Sequence, residues 1–167
     1  GNYDLSSLHD IAFGASPMPD AVLKTALEVI PNARFHHVYG QTEAAPVLTA
    51  LPSNRMVEEG PLAGKIKSAG LAIPGVDIVI MDKDDNEVPR GTVGEICARG
   101  ENVMLGYWQL PDLTAETLRN GWLHTGDGGR MDEDGFIYVV DRVKDMIISG
   151  GENVYSAEVE DALYQHD

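Results

Sequence analysis

Tyr39-Gly40-Gln41-Thr42-Glu43 sets a flat ring, a flexible turn, a hydroxyl and a carboxylate within five consecutive residues. Such a set could stack a base, bond a phosphate and hold Mg²⁺, which prefers one or two carboxylates alongside phosphate oxygens. Alone, the segment also fits an ordinary strand-to-helix turn with a glutamate at its positive end. In Gly121-Trp122-Leu123-His124-Thr125-Gly126-Asp127 the glycine beside Asp127 allows close approach to a ligand. A carboxylate there could accept from both hydroxyls of a ribose, or be a solvated turn aspartate. Arg142, within Asp141-Arg142-Val143-Lys144-Asp145, could supply donors to a ribose or phosphate, or belong to a solvated charged surface. Gly150-Gly151 interrupts a β-like run. Paired glycines let a thin ligand or another backbone pass close by, or mark a bulge. His36, His37 and His124 show no metal-ligand spacing, and one cysteine makes a zinc site a poor reading.

The elements that must position these residues fall into three parts: 1–52, 53–141 and 142–167. In the first, Leu8 to Ala12 is a short apolar strand entering the turn Gly14-Ala15-Ser16-Pro17. Pro19 suits the start of a helix, with Leu23, Leu27 and Ile30 on one face and Pro31-Asn32 as its stop. Arg34 to Val38 is a second strand. Strand, helix, strand is the unit of a parallel sheet, and ligands bind at the carboxyl ends of its strands. Both glycine turns lie there. The middle part reads as β-rich, with strands over Val76–Asp82, Val93–Arg99 and Phe136–Asp141. A helix near Leu113–Arg119 is capped by Asn120-Gly121, and Asp132-Glu133-Asp134-Gly135 forms a hairpin turn. Short strands at regular spacing suggest a small barrel. Alternation puts Ile96 and Ala98 on one face and Cys97 on the other, as a half-buried hydrophobe. In the third part Ser156 caps a helix carrying Val159, Ala162 and Leu163 on one face. The fold class is mixed α/β.

The 167 residues suffice for one domain with a core, and 43% apolar with 23% charged residues is a globular composition. No apolar run reaches membrane-spanning length, and no leader-like segment opens the chain. We therefore expect a cytoplasmic protein without a transmembrane segment. A net charge of −15 repels phosphate backbones and argues against nucleic acid as partner. The chain begins Gly1-Asn2-Tyr3 and stops inside a predicted helix, so it reads as a piece of a longer protein. Apolar edges left by such a cut make self-association plausible.

In this order and spacing the motifs resemble the adenylate-forming superfamily: acyl-CoA synthetases, peptide-synthetase adenylation domains and beetle luciferases. Tyr39-Gly40-Gln41-Thr42-Glu43 matches its aromatic-Gly-x-Thr-Glu motif. Gly94-Glu95-Ile96-Cys97-Ala98-Arg99-Gly100 with Met104-Leu105-Gly106-Tyr107-Trp108 matches its central motif. Thr125-Gly126-Asp127 and Asp141-Arg142-Val143-Lys144-Asp145 match its ribose and hinge motifs. The similarity spans nearly the whole chain, and Met146 to Asn153 resembles the acyl-CoA ligases most.

The resemblance implies the end of a parallel-sheet subdomain, a distorted barrel subdomain and the start of a small C-terminal domain. It implies an acid–CoA ligase of fatty acid metabolism that uses ATP, Mg²⁺ and coenzyme A on a fatty or aryl acid. Tyr39 would stack on adenine, His37 would meet its amino edge, and Gly14-Ala15-Ser16 would lie beside the adenine and acyl pocket. Gly40 carries the turn, Thr42 would bond phosphate, Glu43 would hold Mg²⁺, Asp127 would grip the ribose and Arg142 would assist. Gly150 and Gly151 would line the pantetheine tunnel, Lys144 would be the hinge, and Ala44, Ala45 and Pro46 would help line the acyl pocket. The family's phosphate loop and catalytic lysine are not in this sequence, so the 167 residues alone are expected to be inactive. An adenylation domain loading a carrier protein, and a nucleotide-binding module without turnover, are the alternatives.

Overall fold

The computed structural model describes residues 3–16, 18–56, 64–142, 147–149, 152–154, 159 and 163. Its first sheet opens with β1 (Asp10–Gly14), followed by helix α1 (Asp20–Val29) and β2 (Arg34–Tyr39). β1 and β2 are parallel, with Gly14 opposite Val38. This is the predicted strand–helix–strand unit, with β1 two residues later than the apolar run suggested. Asp10 moves the strand: its carboxylate binds Arg34 at 2.7 Å and His36 at 2.9 Å on β2. β3 (Thr49–Leu51) and β4 (Leu71–Ala72) extend the sheet antiparallel, in the order β1-β2-β3-β4.

The second sheet is an antiparallel meander of β5 (Val76–Met81), β6 (Gly94–Gly100), β7 (Leu123–Met131) and β8 (Ile137–Arg142). The short helix α2 (Pro111–Thr117) lies between β6 and β7 and has Pro111 at its first position. The helix stops earlier than the sequence suggested, at Leu118, whose N–H bonds Thr114 O; Asn120 and Gly121, expected as its cap, take left-handed φ of 54° and 80° in the 3-10 turn Arg119–Gly121 that follows. Asp132 organises the β7–β8 turn, its Oδ1 accepting from the Asp134 and Phe136 N–H groups. In the segment where the sequence suggested a small distorted barrel, the described strands run in the order β5-β6-β7-β8. The last of them bridges to the first sheet, with Ile137 N–H donating to Gly70 O at 2.9 Å.

The core lies between the sheets, built from Leu48 and Ala44 on one side and Val76, Ile78, Ile80, Ile96, Ala98, Leu123 and Ile137 on the other. Each such large aliphatic side chain contributes about 1.5–3 kcal/mol on burial. Lys65 adds a polar clasp, bonding Asp132 and Asp134 with its ammonium 4.7 Å from the Phe136 ring. Beyond these, β9 (Ile147–Ser149) and β10 (Glu152–Val154) pair antiparallel. Val159 and Leu163 are helical; the rest of the helix expected after Ser156 lies outside the described residues. Among the described residues no helix is long and apolar enough to cross a membrane.

Candidate active site

β2 ends at Tyr39, and the chain turns through Gly40 into a single 3-10 turn, Thr42–Ala44. A side chain at 40 is impossible without movement, because a Cβ there would lie 2.1 Å from Pro46 O and 2.8 Å from Leu48 N. This close approach lets Leu48 N–H donate to Tyr39 O at 2.8 Å and folds the following strand back. Ala44 anchors the turn in the core, fully buried, while Thr42 is exposed and Glu43 half-buried. Ala44 is therefore a core residue of this chain and does not line the cleft between these elements. The loop after β6 straps the turn down: Asn102 Nδ2 donates to Ala44 O and Val47 O, and Met104 N–H to Glu43 O. Tyr107 completes the strap, its hydroxyl donating to Glu43 Oε1 at 2.6 Å. That bond, aided by burial, raises the Tyr107 pKa, so the hydroxyl stays a donor.

The other wall comes from the β7–β8 hairpin, and its register matters. Met131 pairs with Ile137, Arg130 with Tyr138 and Gly129 with Val139; continued evenly, this register would set Asp127 opposite Asp141. A one-residue shift between Gly128 and Gly129 instead sets Asp127 opposite Arg142. Glycine is needed at the shift, because a Cβ on Gly129 would lie 2.7 Å from both Tyr138 O and the Ile96 side chain. The bulge thereby replaces a like-charge pair by an ion pair, with Arg142 Nε 3.4 Å from Asp127 Oδ1. The other oxygen, Oδ2, accepts from the Tyr39 hydroxyl at 2.8 Å, joining the first sheet to the second. Burial raises the Asp127 pKa against the opposing pull of Tyr39 and Arg142. Burial, followed by the Asp127 charge, pushes the Tyr39 hydroxyl far up, so it remains protonated.

Between these walls lies a cleft of about 550 Å³. Ala15, Gly40, Thr42, Glu43 and Arg142 all line it, joined by Gly126 beside Asp127. Tyr39 and Asp127 are linked to it through Arg142. Ala15 bears a left-handed φ of 67°, a strained conformation of the kind that gathers at functional sites. Gly14 and Ser16 flank Ala15 but are not among the lining residues. His37 is also outside the lining: its ring stacks on Phe13, with centroids 4.9 Å apart, and Nδ1 bonds Ser68 O. Burial lowers its pKa, keeping the ring neutral, with Nδ1–H given to the carbonyl and Nε2 as an acceptor. Lys144, Gly150 and Gly151 lie outside the described residues. A second hollow, of about 440 Å³ against Val22, Ala26 and Val29 of α1, has no titratable group in its lining.

The model of the AMP-binding enzyme family matches residues 1–108. The chain belongs to that family. Its sequence is 45% identical, over 98% of the chain and 28% of the relative, to a long-chain-fatty-acid–CoA ligase of Escherichia coli. It is 42% identical, over 99% of the chain and 31% of the relative, to the fatty acid–[acyl-carrier-protein] ligase ScoC of Streptomyces coeruleorubidus. The fold superposes with a TM-score of 0.86 on o-succinylbenzoate CoA synthetase of Bacillus subtilis in complex with its acyl-adenylate, at 35% identity, covering 99% of this chain and 32% of that one. The chain thus spans less than a third of the curated relatives it matches.

This AMP-binding enzyme chain carries cleft residues to which sequence reasoning assigned no role. Leu113, Glu116 and Thr117 of α2 line the cleft with Tyr107, Glu95, Arg119, His124 and Thr125. Glu95 Oε1 accepts from Gly126 N–H at 2.9 Å, and Oε2 lies 2.8 Å from His124 Nδ1 and 3.3 Å from Arg119. Asp85 holds Arg119 from the other side at 3.0 Å. Cys97, expected half-buried, is fully buried, its sulfur 3.3 Å from His124 Nδ1. Strand alternation failed there because His124 and Glu95 cover the face that was expected to meet solvent. Glu95, Cys97 and His124 do bring possible ligand atoms within 4.8 Å of one another, which their spacing concealed. Arg119 already neutralises this cluster, and burial pushes the Cys97 thiol up to about 12, so it acts as a hydrogen-bonded network.

Proposed function

We propose that the full-length protein is an ATP-dependent acid–CoA ligase that makes an acyl-adenylate and then a thioester. The observation that carries this reading is the single cleft in which Thr42, Glu43 and Arg142 meet, tied through Arg142 to Asp127 and Tyr39. Each group suits a different part of ATP. We assign the Tyr39 ring to the base and the acceptor Nε2 of His37 to the adenine amino group, although neither side chain lines the cleft of this chain. Asp127, opposite Arg142, accepts from ribose hydroxyls. Thr42 donates to the α-phosphate.

Glu43 fits Mg²⁺ arriving with ATP: it is a cleft carboxylate with one oxygen held by Tyr107. The ion, when bound, neutralises charge on the phosphate oxygens. The substrate carboxylate oxygen attacks the α-phosphorus, and the bond to pyrophosphate breaks as that group leaves. Negative charge gathers on phosphate oxygens, where the donors Thr42 and Arg142 stabilise it without a protein nucleophile. The coenzyme A thiol, losing its proton, then attacks the acyl carbon and AMP leaves. Gly150 and Gly151 are proposed for the pantetheine path, and Lys144 for the hinge between half-reactions. The division at residues 52 and 141 into sheet, β-rich and C-terminal units belongs to the same reading, as does a cytoplasmic location.

The test is acid-dependent ATP–pyrophosphate exchange by the full-length protein with acetate, medium- and long-chain fatty acids and aryl acids. We expect exchange with at least one class, and AMP release on addition of free coenzyme A. No exchange with any acid overturns the ligase reading. The 42% identity to a carrier-protein ligase supports a second reading. In that case the adenylate forms but is discharged only by a pantetheinylated carrier.

A further inference from the structure

We infer that Glu95 is a positioning residue that holds the Gly126–Asp127 turn in its ribose-gripping geometry. The inference rests on the reading of Asp127 as the ribose acceptor. Gly126 has a left-handed φ of 73°, so its N–H points away from the regular β7 ladder. Glu95 Oε1 meets that N–H at 2.9 Å, one residue before Asp127. Thr125 holds the preceding residue, its hydroxyl donating to Ile96 O at 2.7 Å and accepting from Asp127 N–H. The turn is thus fixed at three successive positions, and Glu95 supplies the only one of these contacts made by a charged group.

Glu95 is itself held rigidly. Oε2 is shared by His124 Nδ1–H and Arg119, and Asp85 braces Arg119 through Nε and a terminal nitrogen. His124 is buried, 6% exposed, and its Nε2 has no hydrogen-bond partner among the described residues. The hydrogen bonds of the imidazole are therefore confined to Nδ1, which lies 2.8 Å from Glu95 Oε2 and 3.3 Å from the Cys97 sulfur, and the buried ring serves as a wedge that fixes the Glu95 rotamer. A carboxylate suits the place better than an amide or hydroxyl, because three donors converge on it from different directions. Loss of the acceptor for Gly126 N–H frees the turn, and Asp127 then samples orientations in which it cannot accept from both ribose hydroxyls.

The readout is the preference, in kcat/KM for adenylation by the full-length protein, for ATP over 2′-deoxy- and 3′-deoxy-ATP. We expect a wild-type preference of about 10- to 100-fold, the range of a hydrogen bond to a charged acceptor. Asp127→Ala abolishes it. Glu95→Ala brings it down towards the Asp127→Ala value and raises KM for ATP about 10-fold, leaving KM for the acid unchanged. Glu95→Gln keeps an acceptor for Gly126 N–H and retains the preference within about threefold, with His124 switching tautomer to suit. Should Glu95→Ala fail to fold, Glu95→Asp reads the same quantity: it keeps the charge but withdraws it by one methylene, and the preference falls. An unchanged preference in Glu95→Ala or Glu95→Asp, with Asp127→Ala having lost it, overturns the positioning role alone. An unchanged preference in Asp127→Ala overturns the ribose reading, and the inference with it.

Discussion

Replacing Glu43 by Gln is expected to slow acid-dependent adenylate formation by about 100- to 1000-fold, the loss typical of removing one preorganised electrostatic contact. The substitution isolates charge from shape. Glutamine keeps an oxygen for the Tyr107 hydroxyl that now bonds Glu43 at 2.6 Å, and the backbone strap from Met104 N–H to Glu43 O is indifferent to the side chain. The melting temperature should therefore stay within a few degrees of wild type. What disappears is a negative oxygen in the cleft, so half-saturation by Mg²⁺ should also move to higher concentration. Pyrophosphate exchange measured across a Mg²⁺ titration checks both effects. A variant with unaltered rate and unaltered Mg²⁺ dependence would remove Glu43 from the reaction.

The route from sequence to this cleft was open at some residues and closed at others, for physical reasons. The β1–α1–β2 unit was legible because its apolar spacing switches from strand to helix to strand, and the ladder from Gly14 to Val38 follows from it. The Asp132–Gly135 turn was legible from its acidic residues and glycine, whose side-chain caps the structure shows. Asp127 and Arg142 were each singled out, yet an even hairpin register would have opposed Asp127 to Asp141. Only the bulge at Gly128–Gly129 makes the correct pair, and glycines alone do not announce a bulge. Tyr107 was legible as part of a motif but not as the partner of Glu43, because tertiary closure of the strap, not local pattern, joins them. The same holds for the Glu95–His124–Arg119 network. Its members lie on β6, β7 and the turn after α2, too far apart in sequence for any local pattern to join them.

Asp127→Asn should weaken ATP binding by about 100-fold, as expected when a charged acceptor of substrate hydroxyls becomes neutral. It should do so without lowering stability at neutral pH. Asparagine still accepts from the Tyr39 hydroxyl, which bonds Asp127 Oδ2 at 2.8 Å. The lost ion pair is a weak one, at 3.4 Å with the Arg142 side chain 59% exposed, and such pairs contribute little. Against that small loss stands the burial of the carboxylate, which raises its pKa above the ordinary aspartate value. A carboxyl with a raised folded pKa binds its proton more tightly when folded. Its burden on stability is absent below the unfolded pKa and grows as pH rises through the folded one. Asparagine removes that burden, so the melting temperature of the variant should equal or exceed wild type at pH 7, and the advantage should vanish in acid. Binding runs the opposite way, because only the ionised Asp127 accepts from both hydroxyls. The acid limb of kcat/KM for ATP should lie above the ordinary aspartate range in the wild type and be missing in the variant. Thermal melts and ATP kinetics on the two proteins across pH test both halves. A variant that melts lower at pH 7, or that keeps wild-type affinity for ATP, would contradict the assignment of this carboxylate as a group held at some cost to the fold for the sake of the ribose.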